Sequence, residues 1–163
     1  MFIFFKNLKY EVSNSTLIKL YPHDFGWDLT KRFNDNGIFC KFSNRNDNFF
    51  KLLNNSRLCV TNIDSTTYLQ SLNLNFPTVI FFNKKVSFFT DDFLRDLKVL
   101  KKAKVFFDTP EQAAKQINFI WDSIENWWHS KLVQNAVNFF CEKYSKKSKN
   151  RVQDVYNYFK TYI

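Results

Sequence analysis

Strands alternating with helices predict an α/β fold, a parallel sheet covered by helices on both faces. Three observations carry that expectation. Short β-branched and aromatic runs recur between helical patterns, and residues 78–82 (Thr-Val-Ile-Phe-Phe) are the clearest, being apolar on both alternations as a buried parallel strand is. Well-formed helix starts separate those runs: Thr90-Asp91-Asp92, Thr109-Pro110-Glu111-Gln112 and Ser130. Residues 58–82 read in succession as strand, polar turn, short helix and strand.

Residues 1–14 give a short apolar start and a polar stretch with no firm period. Residues 16–20 form a strand closed by Tyr21-Pro22, since the residue before a proline is held extended. His23 to Asp28 make a loop, 29–33 a brief helix, Asn34 to Gly37 a turn and 38–42 a second strand. A polar loop over 43–48 leads to a helix over 49–53 presenting Phe50, Leu52 and Leu53. After the strand at 58–60, Asp64, Ser65 and Thr66 are residue types whose oxygens cap a helix, and Pro77 is expected to stop it.

Residues 83–85 turn the chain into a helix opened by Thr90, with an inward stripe of Phe93, Leu97, Leu100 and Ala103. A strand at 105–107 follows, then a helix with Ala113, Ile117, Ile120 and Ile124 on one face. Ser130 caps a helix carrying Val133, Ala136, Val137, Phe140 and Tyr144. Residues 1–144 are read as one domain, and 145–163 as a basic linker followed by an amphipathic helix from 152.

Composition narrows the function classes. With 45% hydrophobic and 24% charged residues in 163, the chain is globular. Only two glycines leave no room for a glycine-rich phosphate loop, so bound phosphate must be held by Ser, Thr and backbone N–H groups. The net charge of +9 suits anionic partners, but Lys, Asn, Phe and Ile are abundant together, as in a coding sequence poor in G and C. The basic residues are dispersed until Lys143, so no nucleic-acid partner is expected. Cys40, Cys59 and Cys141 lack metal or disulfide spacing and read as free thiols, and His23 and His129 are too few and too distant for a zinc site; no metal and no cofactor are expected. The apolar start is too short for a signal peptide, and no run approaches the ~18 apolar residues of a membrane span.

The turn after the third strand sits where a strand's carboxyl end meets a helix start, a place that favours anions. There Ser65, Thr66 and Thr67 could offer hydroxyl and N–H donors to a diphosphate, or Asp64 or Ser65 could simply cap a helix. Gln70 lies one turn beyond Thr66 on the same face. His23 and Asp24 follow the first strand and can face the same crevice: a His beside a carboxylate relays protons near neutral pH, and Trp27 offers a flat wall for a base or sugar. Trp127-Trp128-His129 reads as core or interface packing rather than a sugar platform. The run from Lys143 through Lys146, Lys147 and Lys149 to Arg151 reads as a solvated linker, although anionic lipid or nucleic acid could meet it.

Four stretches carry a family likeness: Leu20-Tyr21-Pro22-His23-Asp24-Phe25-Gly26-Trp27-Asp28; Ser65-Thr66-Thr67-Tyr68-Leu69 with Leu72, Asn75 and Pro77-Thr78; Phe107-Asp108-Thr109-Pro110-Glu111-Gln112-Ala113-Ala114; and Trp127-Trp128 with Gln134 and Phe140-Cys141. In this order they resemble transferases from bacterial surface-carbohydrate gene clusters, which look like the two-domain GT-B glycosyltransferases. The resemblance implies a Rossmann-like domain equivalent to the carboxyl-terminal, nucleotide-donor half, with residues 1–14 as a remnant of the helix joining the halves. It implies a nucleotide-activated sugar or polyol-phosphate donor and a glycan acceptor. The acceptor domain would lie outside these residues or on a separate chain. It also implies a cytoplasmic location, peripheral to the inner membrane at most.

His23 is then the residue expected to act in catalysis, with Asp24, Trp27, Ser65, Thr66, Thr67 and Gln70 binding the donor. Two positions depart from the pattern. Such relatives usually carry Glu where Gln70 stands, and in related capsule polymerases the His precedes the Pro rather than following it. The rival classes are a non-catalytic interaction domain and a basic nucleic-acid-binding module.

Overall fold

The computed structural model describes residues 1–86, 88–146, 148 and 150–161. The element order is α1 (Phe2–Lys6), α2 (Tyr10–Asn14), β1 (Leu17–Ile18), α3 (Leu29–Asp35), β2 (Lys41–Phe42), α4 (Phe49–Asn54), β3 (Cys59–Thr61), α5 (Thr66–Asn73), β4 (Thr78–Phe81), α6 (Asp91–Lys102), β5 (Phe106–Phe107), α7 (Pro110–Ile120), α8 (Ile124–Trp128), α9 (Lys131–Tyr144) and α10 (Arg151–Lys160). All pairings among the described strands are parallel: β1 with β2, and β3–β4–β5 in that order with β4 central. The fold is therefore α/β with two small parallel sheets.

Strand β4 divides the interior. All four of its residues are buried. Side chains alternate across a strand, so Val79 and Phe81 join Phe107, Ala113, Ala114 and Ile117 with Phe4, Phe5, Val12, Ile18 and Phe33. Ile80 and Phe82 join Phe106 with Leu72, Leu97, Leu100, Trp128, Val137 and Phe140. Helices α1 and α7 thus cover one face, and α5, α6 and α9 the other.

The expected capping residues act as such. Thr90 Oγ1 accepts from Phe93 N at 3.3 Å, Thr109 Oγ1 from Gln112 N at 3.3 Å and Ser130 Oγ from Val133 N at 3.4 Å. Three helices end alike, on a residue with positive φ: Gly37 (+69°) after α3, Asn75 (+53°) after α5 and Lys104 (+61°) after α6. That conformation returns the chain so that Ile38 N, Phe76 N and Val105 N bond back to Phe33, Ser71 and Leu100 carbonyls at about 3.0 Å.

Several boundaries depart from expectation. Helix α5 is stopped by Asn75 rather than by Pro77, whose carbonyl instead accepts from Cys59 N at 2.8 Å and opens the β3–β4 ladder. Ile124 is buried as expected but heads the separate helix α8, because α7 ends at Ile120. Phe50 faces solvent, and Leu53 is the residue α4 buries. Residues 1–14, which show no firm period, form two short helices, held by Asn118 of α7, which accepts from Lys9 N at 2.9 Å and donates to Asn7 O at 2.8 Å.

Trp128 is fully buried and Trp127 partly so, which makes this pair core rather than platform. Trp128 Nε1 donates to Asn75 O at 2.9 Å, which ties α8 to the turn after α5. Asp96, which the helical pattern did not single out, is buried on α6 and accepts from Lys143 Nζ and, at 2.7 Å, from Tyr144 Oη on α9. Those two donors hold its carboxyl below the usual range against the effect of burial. No disulfide joins the three cysteines, and burial pushes the Cys59 thiol up to about 11. Among the described residues no helix is long and apolar enough to cross a membrane.

Candidate functional site at the carboxyl ends of the strands

Parallel strands put their carboxyl ends on one edge of a sheet, and the loops leaving those ends carry the expected site residues. The first is the loop after β1. Asp24 organises it: Oδ1 accepts from Gly26 N at 2.9 Å, and Oδ2 pairs with Arg45 Nη2 at 2.8 Å. Gly26 sits at φ +73°, where a side chain would be strained, so the chain can double back beneath Asp24. Arg45 leaves the end of β2 and also donates from Nη1 to Tyr21 O at 2.9 Å and to His23 O at 3.4 Å. One guanidinium therefore holds a carboxylate and two carbonyls of the same loop.

That clamp presents a row of rings. Tyr21 stacks on Phe25 with centroids 5.6 Å apart, Phe25 stacks on Trp27 at 5.3 Å, and His23 meets Phe25 edge-on at 4.8 Å. All are exposed, Tyr21 at 67%, Phe25 at 55% and Trp27 at 61%. Exposed large rings stacked on one another form a ready apolar surface. Among the described residues Asp24 makes no hydrogen bond to the His23 ring; its oxygens are taken by Arg45 and the Gly26 N–H.

The second loop is the turn from β3 into α5. Ser65, not Asp64, is the cap, its Oγ accepting from Thr67 N at 3.4 Å. Asp64 is drawn back along the helix, where Oδ1 accepts from Tyr68 Oη at 3.3 Å. Burial, with the Asp64 charge beside it, pushes the Tyr68 phenol well above its ordinary range, so it keeps its proton and stays a donor. Thr66 and Gln70 are exposed and Ser65 and Thr67 half-buried. Beneath the turn, at the last position of β3, Thr61 Oγ1 is buried with no hydrogen-bond partner among the described residues. Thr61 shares a strand face with Cys59, whose thiol meets the Ser71 hydroxyl of α5, so Thr61 belongs to the side of β3 that α5 covers.

A third feature was not anticipated. Beyond β4, a concavity of about 450 Å³ is lined by Lys84, Asp91, Leu94, Arg95 and Lys98. Of its lining, Lys84 pairs at 2.7 Å with Asp108, just past β5, which also pairs with Lys101. Burial works to raise the Asp108 carboxyl, and the two ammonium groups outweigh it and leave it lowered. The sequence signal was available: Lys84 follows a buried strand, and Arg95 and Lys98 are three apart on the helix that starts beside it. Arg45 was likewise missed, though it lies just past β2, the parallel neighbour of β1.

Neither this concavity nor another of about 260 Å³, lined by Asn14, Asn34, Phe39, Cys40 and Lys41, includes an expected site residue. Among the described residues, no hydrogen bond, ion pair or ring contact joins the His23 loop to the Ser65 turn, and no three His, Cys, Asp or Glu side chains gather as a metal site would need.

In comparison with known proteins, a family model described as LIC12162 family transferase matches residues 2–159. No curated protein and no solved structure matches the chain.

Proposed function

Since the chain belongs to the LIC12162 transferase family, we propose that it is the donor-binding part of a glycosyltransferase-type enzyme related in fold to the GT-B group. Its donor is a nucleotide-activated sugar or polyol phosphate, and its product a bacterial surface glycan. The acceptor is a glycan bound by a further domain or a partner chain.

The observation that carries this reading is the turn from β3 into α5. Its helix start is capped by Ser65, and its one carboxylate, Asp64, is tied back to Tyr68. A diphosphate there meets the positive end of α5 without facing Asp64 directly, and Ser65, Thr66 and Thr67 carry hydroxyls within the same turn. The rings of Tyr21, Phe25 and Trp27 support the other half of the reading, a stacking surface for a sugar or a base. In the transfer step an acceptor hydroxyl displaces the nucleotide, its oxygen bonding the sugar's anomeric carbon as the bond to phosphate breaks. His23 takes the hydroxyl proton or steadies the departing diphosphate. Donors at the helix start stabilise the charge that develops on it.

Calorimetric titration with uridine, cytidine and guanosine diphosphates tests this. One of them binds, and Thr66→Val weakens it by about tenfold, the size of one hydrogen bond to a charged group. Thr66 is exposed, so the variant keeps its stability. No heat from any of the three at about 1 mM overturns the proposal. The same stacked rings favour a second reading, a non-catalytic interaction domain, and a protein that binds no nucleotide yet captures a partner through Phe25 and Trp27 would establish it.

A further inference from the structure

The body of the protein neutralises many of its cations locally: Lys31 with Asp35, Arg45 with Asp24, Lys84 and Lys101 with Asp108, Arg95 with Asp92, and Lys143 with Asp96. Residues 146–160 concentrate positive charge. They hold five basic residues, Lys146, Lys147, Lys149, Arg151 and Lys160, against one acid, Asp154. Lys147, Lys149 and the Arg151 side chain lie outside what the structure describes, so this charge is a fact of the sequence.

Helix α10, which ends the stretch, is amphipathic with an exposed apolar side. Val152, Val155, Tyr156 and Phe159 fall at helical spacing on one side, and they are 81%, 55%, 59% and 60% exposed. None of them belongs to either apolar cluster. Asp154 and Asn157 fall on the opposite side, while Lys160 stands at the stripe's edge, its ammonium 5.9 Å from the Tyr156 ring.

We propose that α10 is a docking surface for an anionic lipid bilayer, its apolar stripe lying in the headgroup region and the net positive charge of residues 146–160 drawn to the phosphates. Charge complementarity selects this occupant. Attachment of this kind needs an apolar stripe, basic residues alongside it and rings suited to the interface, and all three occur in one short segment. A ten-residue helix is about 15 Å long, half of what a span requires, so it lies flat. The surface is separate from the Ser65 turn and does not depend on nucleotide binding.

The test is co-sedimentation of the full chain with vesicles of phosphatidylcholine alone and of phosphatidylcholine with 30% phosphatidylglycerol. Binding to the anionic vesicles is at least tenfold tighter, weakens as salt rises from 50 to 500 mM, and falls at least tenfold in V155D/F159D. The core melts at the same temperature in that variant, because α10 lies outside both clusters. Four results overturn the proposal: no binding to anionic vesicles; binding that V155D/F159D leaves unchanged; a concentration-dependent dimer that V155D/F159D abolishes, which makes a second copy the occupant; and binding to an RNA oligonucleotide with none to vesicles.

Discussion

Replacing Trp128 by Phe tests how the core is tied to the turn that ends α5. The indole is fully buried and its N–H donates to Asn75 O at 2.9 Å, with Asn75 Oδ1 at 3.1 Å. Phe keeps a ring in place but leaves a void of roughly 40 Å³, which at about 24 cal/mol per Å³ costs about 1 kcal/mol. The smaller apolar surface loses about 1 kcal/mol more. The lost hydrogen bond adds about 1 kcal/mol, the lower part of its range, because Asn75 is exposed and water can reach its carbonyl.

The expected loss is therefore about 3 kcal/mol, or about 9 °C in melting temperature for a chain of this size. Urea unfolding followed by far-ultraviolet circular dichroism measures it without relying on tryptophan emission. Trp127→Phe is the internal control: that indole is only partly buried, and its Nε1 is buried without a partner among the described residues, so deleting the N–H costs less than 1 kcal/mol. Equal losses at the two positions, or a larger one at 127, would refute the reasoning.

Two further variants probe the polar contacts. Lys143 first, then Tyr144, depresses the Asp96 carboxyl, so its contribution to stability is present above the ordinary carboxyl value and disappears as pH falls through the lowered one. Asp96→Asn should unfold at lower urea than the parent at neutral pH, with the gap closing as pH drops below about 4; a gap that stays constant down to pH 2 contradicts this assignment. Arg45→Ala frees Asp24 and the Tyr21 and His23 carbonyls together. Amide exchange over residues 21–28 should then quicken, with no change at β4, and Arg45→Lys should not restore protection because one ammonium cannot reach all three acceptors.

Local chemistry and periodicity made much of this architecture legible. Thr90, Thr109 and Ser130 cap where their side-chain oxygens said they would, and residues 78–81 form the strand buried on both faces. What escaped depends on contacts distant in the chain. Asn75 outranks Pro77 as the helix stop because the turn it makes also receives the Trp128 N–H, 53 residues away. Asp96 occupies a core position only because Lys143 and Tyr144 arrive from α9 to satisfy it. At the site, the sequence identified the loops but not their brace: Arg45 is one cation among 24, and only the parallel pairing of β1 with β2 brings it to Asp24.

Because β4 serves as the common wall of both interiors, neither side of the molecule has a boundary of its own. Shifting that strand by a single residue would hand Val79 and Phe81 to the partners of Ile80 and Phe82 and spoil both packings at once. The register is thereby locked twice over, and the two sides must melt in one cooperative transition.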